Sequence, residues 1–203
     1  MSNRKKKYMS LSGINVIDSP EADLKTQANT ILNEKIHGIS FSPYITGQKP
    51  GDAVDKAQIE QRLAVIANKV NWIRSFSCTK GNELIPKAAK EMGLKTLVGA
   101  WLSDDLVNNE QEITNLIALG KAGLVDIAAV GNEVLLRDEL TEMQLIDYLK
   151  RVKAALPTIE VGYVDAYYEF EDHPMITEQC DVILANCYPF WEGCALQYSI
   201  LYM

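Results

Sequence analysis

CxxC cysteine pairs and long apolar runs are missing from this sequence, and histidines are few. Its four cysteines, Cys78, Cys180, Cys187 and Cys194, form no CxxC pair, and only His37 and His173 could join them at a metal. Zinc-type ligand spacing is therefore absent, and reduced, mostly buried thiols are expected. No apolar run reaches the roughly 18 residues of a membrane span. The basic start, Met1 to Tyr8, is not followed by an apolar stretch, so no secretory signal is expected and the chain reads as cytoplasmic. Within it, Arg4, Lys5, Lys6 and Lys7 read as a solvated tail rather than an anion-binding arm. Positive charge is otherwise outweighed: the net charge of -7 argues against a nucleic-acid partner, which needs a basic face. Nucleotide motifs are missing too. The turn Tyr44 to Gly51 holds neither GxGxxG nor GxxxxGK[ST], and no cofactor is expected.

What is present is a strict alternation. Residues 1–34 read as a basic tail and a lead-in helix, started by Asp18-Ser19-Pro20 and carrying Leu24, Ala28, Ile31 and Leu32 at helical spacing. From residue 35 to 203, apolar strand-like runs at 36–43, 70–77, 95–102, 124–131, 160–166 and 181–187 alternate with helical patterns near 55–69, 82–92, 109–121, 141–155 and 172–179. Thr141 to Gln144 spells a capping box, Gly93 and Gly123 sit where helices should stop, and Pro157 ends the fourth helix. Strands apolar on both faces fit a parallel sheet covered by helices, either open or closed into a barrel. The strands end in Tyr44, Arg74, Trp101, Asn132-Glu133, Asp165-Tyr167 and Tyr188-Trp191. Functional side chains at successive strand ends favour the barrel, so the expected fold is an α/β TIM (β/α)8-type barrel with its first six units present.

The sharpest local feature is Val130-Gly131-Asn132-Glu133-Val134, where an apolar strand runs into an Asn-Glu pair. A carboxylate there sits beside apolar walls, a setting suited to proton transfer. The plainer alternative is an ion pair with Arg74 or a loop cap. Arg74, at the end of the second strand, would share the same rim and hold a neighbouring carboxylate ionised. Trp101, Tyr167, Tyr168, Tyr188, Phe190 and Trp191 follow strands as well. Singly they read as packing. Together they favour a carbohydrate cleft, because sugar rings stack their C–H faces on aromatic planes. Asp165 and Glu169 are further candidates to line it.

In these residues the chain resembles glycoside hydrolase family 17, the β-1,3-glucanase family of retaining (β/α)8 glycosidases. The resemblance rests on Gly38 to Tyr44, Ile73 to Phe76, Val98 to Trp101, Val130 to Val134 and Asn186 to Phe190, and runs from about residue 36 to the end. It implies that Glu133 is the catalytic acid/base and that Asn132 holds the sugar 2-hydroxyl next to the cleaved bond. It also implies that Tyr188 lies close to the nucleophile. Arg74, Tyr44, Trp101 and Trp191 complete the substrate-binding set, and the partner implied is a β-glucan.

One departure from the family is decisive. Its nucleophilic Glu ends the seventh strand, whereas Cys194 to Met203 reads as the start of the sixth helix. Glu192 follows the sixth strand in a loop and reads as a rim residue. The nucleophile is thus expected beyond Met203, and the 203 residues by themselves are expected to be an inactive fragment. A non-catalytic carbohydrate-binding protein and an inactive remnant remain alternatives. Six strands would leave two open edges, so edge-to-edge self-association is expected.

Overall fold

The computed structural model describes residues 19–195 and 198–202. The basic tail from Arg4 to Lys7 and the helix-start residue Asp18 lie outside them. The first element among the described residues, helix α1 (Glu21–Asn33), buries none of its residues. It touches the rest through Lys69, whose Nζ donates to Asn33 Oδ1 at 2.9 Å.

The alternating chain then forms β1 (Ile36–Ser40), α2 (Lys56–Ile66), β2 (Val70–Ser75), α3 (Ile85–Glu91), β3 (Lys95–Ala100), α4 (Leu106–Lys121), β4 (Ile127–Asn132) and α5 (Glu142–Ala155). It continues as β5 (Glu160–Ala166), α6 (Glu169–Asp172), α7 (Pro174–Gln179), β6 (Val182–Asn186) and α8 (Ser199–Tyr202). All six strands pair in parallel, in chain order from β1 to β6. The sheet curls, so that side chains from β2, β4 and β6 meet across its concave face. This is an incomplete TIM-type barrel, as the alternation predicts.

Helix boundaries follow their caps. Thr141 and Gln144 form the expected capping box. Asp105 accepts the backbone N–H groups of Val107 and Asn108, so α4 starts at Leu106, before the expected residue 109. The region expected as one helix at 172–179 is two short ones, α6 and α7, separated by His173 with Pro174 opening the second. Strand β4 starts at Ile127 rather than 124, because Leu124 and Asp126 are taken up stapling Thr96.

Two apolar clusters hold the layers together. One packs Val98, Ala128, Val130 and Val161 of the central strands against Ile113, Leu116, Leu145 and Leu149 of α4 and α5. The other packs Val70 and Ile73 against Ile59, Leu63, Ile85 and Ala89 of α2 and α3. Burial of each such side chain contributes roughly 1.5–3 kcal/mol. The outer strands are less covered: Ile39 of β1 is 42 % exposed and Ile183 of β6 is 43 % exposed. All four thiols are free, but only Cys78 is buried; Cys180, Cys187 and Cys194 are half-buried, short of the expectation. Among the described residues, no helix is long and apolar enough to cross a membrane.

Candidate active site

The fourth strand ends irregularly, and Glu133 sits at that point. Ala129 pairs with Gly162 and Asn132 with Val164, so β4 takes one more residue than β5 over this stretch. The bulge is absorbed at Gly131, whose φ is 86°. A Cβ there would lie 3.3 Å from the Tyr163 ring, in a backbone region that side chains rarely adopt. Glu133 follows with a φ of 54°, left-handed for a non-glycine residue. Such a conformation costs on the order of 1 kcal/mol and persists only where the surroundings hold it. Here Glu133 donates its N–H to Val164 at 2.7 Å, and its carbonyl accepts from the Arg137 N–H at 3.0 Å.

Three even-numbered strands converge on this turn. Asn186, at the end of β6, donates Nδ2 to Glu133 Oε1 at 2.7 Å. The Tyr188 hydroxyl donates to the same oxygen. Arg74 of β2 donates Nη2 to Asn132 Oδ1 and Nη1 to Asn186 Oδ1, the latter at 3.4 Å. Arginine has no acceptor, so both amides must turn their oxygens toward it. That fixes the Asn186 donor on Glu133 and presents the Asn132 donor elsewhere. Arg74 thus reaches Glu133 through Asn186 and makes no direct ion pair with it, unlike the plainer expectation. Its guanidinium also lies 4.5 Å from the Phe76 ring centroid. Burial lowers the Arg74 pKa, opposed by the Tyr188 and Glu133 charges. The Tyr188 phenol is pushed up, first by burial and then by its hydrogen bond to Glu133 and that group's charge. It therefore remains a donor across the neutral range.

Asp165 is fully buried on β5 and does not face an open cleft. It accepts the Tyr163 hydroxyl, the Ala166 N–H at 2.7 Å and the Leu136 N–H at 3.5 Å. Tyr163 Oη in turn accepts from Leu135 at 3.0 Å. The pair therefore braces the loop that follows Glu133. Burial raises the Asp165 pKa, only partly offset by these hydrogen bonds. Glu169 lies 3.3 Å from His173 Nδ1 instead of joining the Glu133 network.

A cleft of ≈ 610 Å³ opens over the ends of β1, β2 and β3, lined among others by Phe41, Tyr44, Phe76, Asn82, Trp101 and Glu112; Arg74, Asn132, Glu133, Asn186, Tyr188 and Trp191 are not among its lining residues. Tyr44 lines it, but its oxygen is engaged by Gly51 at 3.2 Å and Asn82 at 3.3 Å, which ties its phenol to the wall. Trp101 is 36 % exposed and carries the Arg137 guanidinium 4.7 Å from its ring centroid. Trp191 is 82 % exposed in the turn after β6, edge-on to Phe190. Glu192 is exposed in the same turn, its N–H bonded to Tyr188 at 2.9 Å.

Three contributors escape the sequence reading as site residues. Asn186 bridges Arg74 to Glu133, although its motif is recognisable. Arg137 gives no local signal because two of its partners are backbone carbonyls and a third, Trp101, is distant in sequence. Glu112 carries the clearest missed signal: a carboxylate beside Ile113 and Leu116 on the buried face of α4. It is fully desolvated and accepts from Ser77 Oγ at 2.5 Å, Cys78 N at 2.6 Å, Thr79 Oγ1 at 2.7 Å and Trp101 N at 3.1 Å. One carboxylate thus anchors the loops after β2 and β3.

The family profile described as the BtgE/BtgC glycoside hydrolase domain matches residues 38–200. A "Glucan 1,3-beta-glucosidase" of Arthroderma benhamiae is 25 % identical over 156 residues, covering 72 % of this chain and 50 % of that protein. A protein of the same name from Saccharomyces cerevisiae is 25 % identical, covering 80 % and 58 %. A "Probable beta-glucosidase btgE" of Aspergillus fumigatus is 25 % identical, covering 77 % and 28 %. The chain therefore spans at most 58 % of the length of these relatives. Among solved structures, a glycoside hydrolase family 17 beta-1,3-glucanosyltransferase from Rhizomucor miehei superimposes with a TM-score of 0.67 at 24 % identity, over 80 % of this chain and 61 % of that one. That likeness supports the barrel fold.

Proposed function

The chain belongs to the BtgE/BtgC glycoside hydrolase domain family, and on that premise we propose that it forms the acid/base-bearing part of a retaining glycosidase or transglycosidase for β-1,3-glucan. The observation that carries the proposal is the convergence of Asn186 and Tyr188 on one oxygen of Glu133 at the end of β4. With Oε1 occupied by two donors, Oε2 is the oxygen left to handle a proton. In the first step Glu133 delivers that proton to the glycosidic oxygen as the C–O bond breaks. In the second it takes a proton from the attacking water, or from a sugar hydroxyl when glycosyl transfer occurs. In this reading the Asn132 side-chain N–H donor holds the sugar 2-hydroxyl, supported by Arg74, which takes the Asn132 oxygen. Trp101, Tyr44, Tyr188 and Trp191 are the proposed stacking and rim contacts for the glucan. The names of the fungal relatives, two of them glucan 1,3-beta-glucosidases, support the choice of substrate.

A retaining mechanism needs a second carboxylate about 5–5.5 Å from the first. Among the described residues, no other carboxylate hydrogen-bonds to the side chains of Glu133, Asn186 or Tyr188, and Asp165 is sealed behind Tyr163. This favours a second reading for residues 1–203 taken alone, in which they bind glucan without turning it over.

Calorimetric titration of laminari-oligosaccharides into the 203-residue chain and its Trp101→Ala variant tests the shared part of both readings. Loss of one stacking ring should weaken binding by about 1–3 kcal/mol. No binding to the wild type would contradict the carbohydrate assignment.

A further inference from the structure

We propose that Arg137 is a positioning residue that locks the sugar platform to the acid/base turn. The inference rests on the glucan reading and goes beyond it by assigning a residue the sequence comparison left unassigned. Arg137 touches three segments at once. Nη1 donates to the carbonyl of Asn132, the residue immediately before Glu133. Nη2 donates to the carbonyl of Leu102, immediately after Trp101, at 3.1 Å, and to Glu139 Oε2 at 2.6 Å. The guanidinium meanwhile lies over the Trp101 ring, its central carbon 4.7 Å from the centroid.

Each contact has a separate consequence. The two carbonyls belong to the ends of β3 and β4, so one planar group spans the rim of the sheet at fixed distance. The Asn132 carbonyl adjoins the left-handed Glu133, a conformation that persists only under external restraint. The cation over Trp101 occupies one ring face, which leaves the opposite face for a sugar. The ion pair with Glu139 holds the guanidinium itself in place. A lysine could keep the charge over the ring but could not reach both carbonyls, because an ammonium lacks the planar fork. The backbone N–H of Trp101 is held separately, by Glu112 at 3.1 Å. The platform is thus fixed at its main chain by one residue and at its ring by another.

The test is a double-substitution cycle read by calorimetric titration of laminari-oligosaccharides into the 203-residue chain. Arg137→Met keeps the apolar stem and removes every donor. It should weaken binding about five- to tenfold, with Arg137→Lys falling between it and wild type. Because Arg137 acts through the ring, Trp101→Ala combined with Arg137→Met should bind no worse than about twofold below Trp101→Ala alone. A purely structural role would lower thermal stability without this loss of additivity. Equal affinity of Arg137→Met and wild type, or fully additive losses, would overturn the inference while leaving the glucan reading intact. If Arg137→Met does not fold, Arg137→Lys decides: wild-type affinity counts against the inference, and a loss that vanishes in the Trp101→Ala background supports it. Failure of wild type itself to bind would instead defeat the glucan reading and this inference with it.

Discussion

Asn186 Nδ2 lies 2.7 Å from Glu133 Oε1, a contact that joins the end of the sixth strand to the end of the fourth. The two residues are far apart in sequence and their strands are not neighbours. Only a curled sheet brings them together, because side chains of alternate strands meet in layers inside a barrel. The bond therefore reports the curvature of the sheet.

Tyr188→Phe removes the second donor on Glu133 Oε1. Loss of one hydrogen bond to a charged group should destabilise the chain by about 1.5–3 kcal/mol or somewhat less, since the site is partly solvated. Urea denaturation at neutral pH measures this. The Tyr188 pKa is raised in the folded state, so its contribution is complete below the unfolded value of about 10 and is lost as pH rises through the folded one. Wild type should accordingly lose its advantage over Tyr188→Phe above about pH 10. A constant difference up to pH 12 would argue against that hydrogen bond.

Asp165 gives a pH dependence at the acid end. Burial raises its folded pKa, so its contribution is greatest below about pH 3.9 and declines as pH rises through the folded value. The stability of wild type relative to Asp165→Asn should therefore fall between about pH 4 and neutrality. Denaturant midpoints across that range would check the sign, and a rising difference would mean that Asp165 is held ionised instead.

The open edges of the sheet predict self-association. Among the described residues, strands β1 and β6 each have one unpaired side, and Ile39 and Ile183 are 42 % and 43 % exposed beside them. Sedimentation of the 203-residue chain should show concentration-dependent association that Ile183→Lys weakens. A monodisperse monomer at all concentrations would show that the edges are protected.

Much of this was legible in the sequence for a physical reason: strand and helix periods are local. The six apolar runs, the Thr141 capping box and the glycine stops each specify their element without knowledge of distant residues. Glu133 was legible because a charged residue ending the apolar run Ile127–Val130 is conspicuous. Its neighbours were harder. The Gly131 bulge depends on a register with β5, and the role of Asn186 depends on curvature that no single segment encodes. Arg137 meets the Trp101 ring and the Leu102 carbonyl of a segment far away in sequence, which nothing in its own segment reveals. Asp165 read as a cleft residue because its strand-end position was visible and its cover, Tyr163, was not.

The most direct test of the account is Glu133→Gln in a closed barrel. Residues 1–203 joined to a seventh and eighth β/α unit that carry a strand-end carboxylate should cleave laminarin, whereas residues 1–203 alone should not. In the closed barrel, Glu133→Gln should abolish laminarin cleavage. Azide should then restore turnover of an activated aryl glucoside, giving a glucosyl azide of retained anomeric configuration, because a good leaving group needs no acid and azide needs no base. Undiminished laminarin cleavage by Glu133→Gln, measured by released reducing ends, would contradict the assignment of Glu133 as the acid/base.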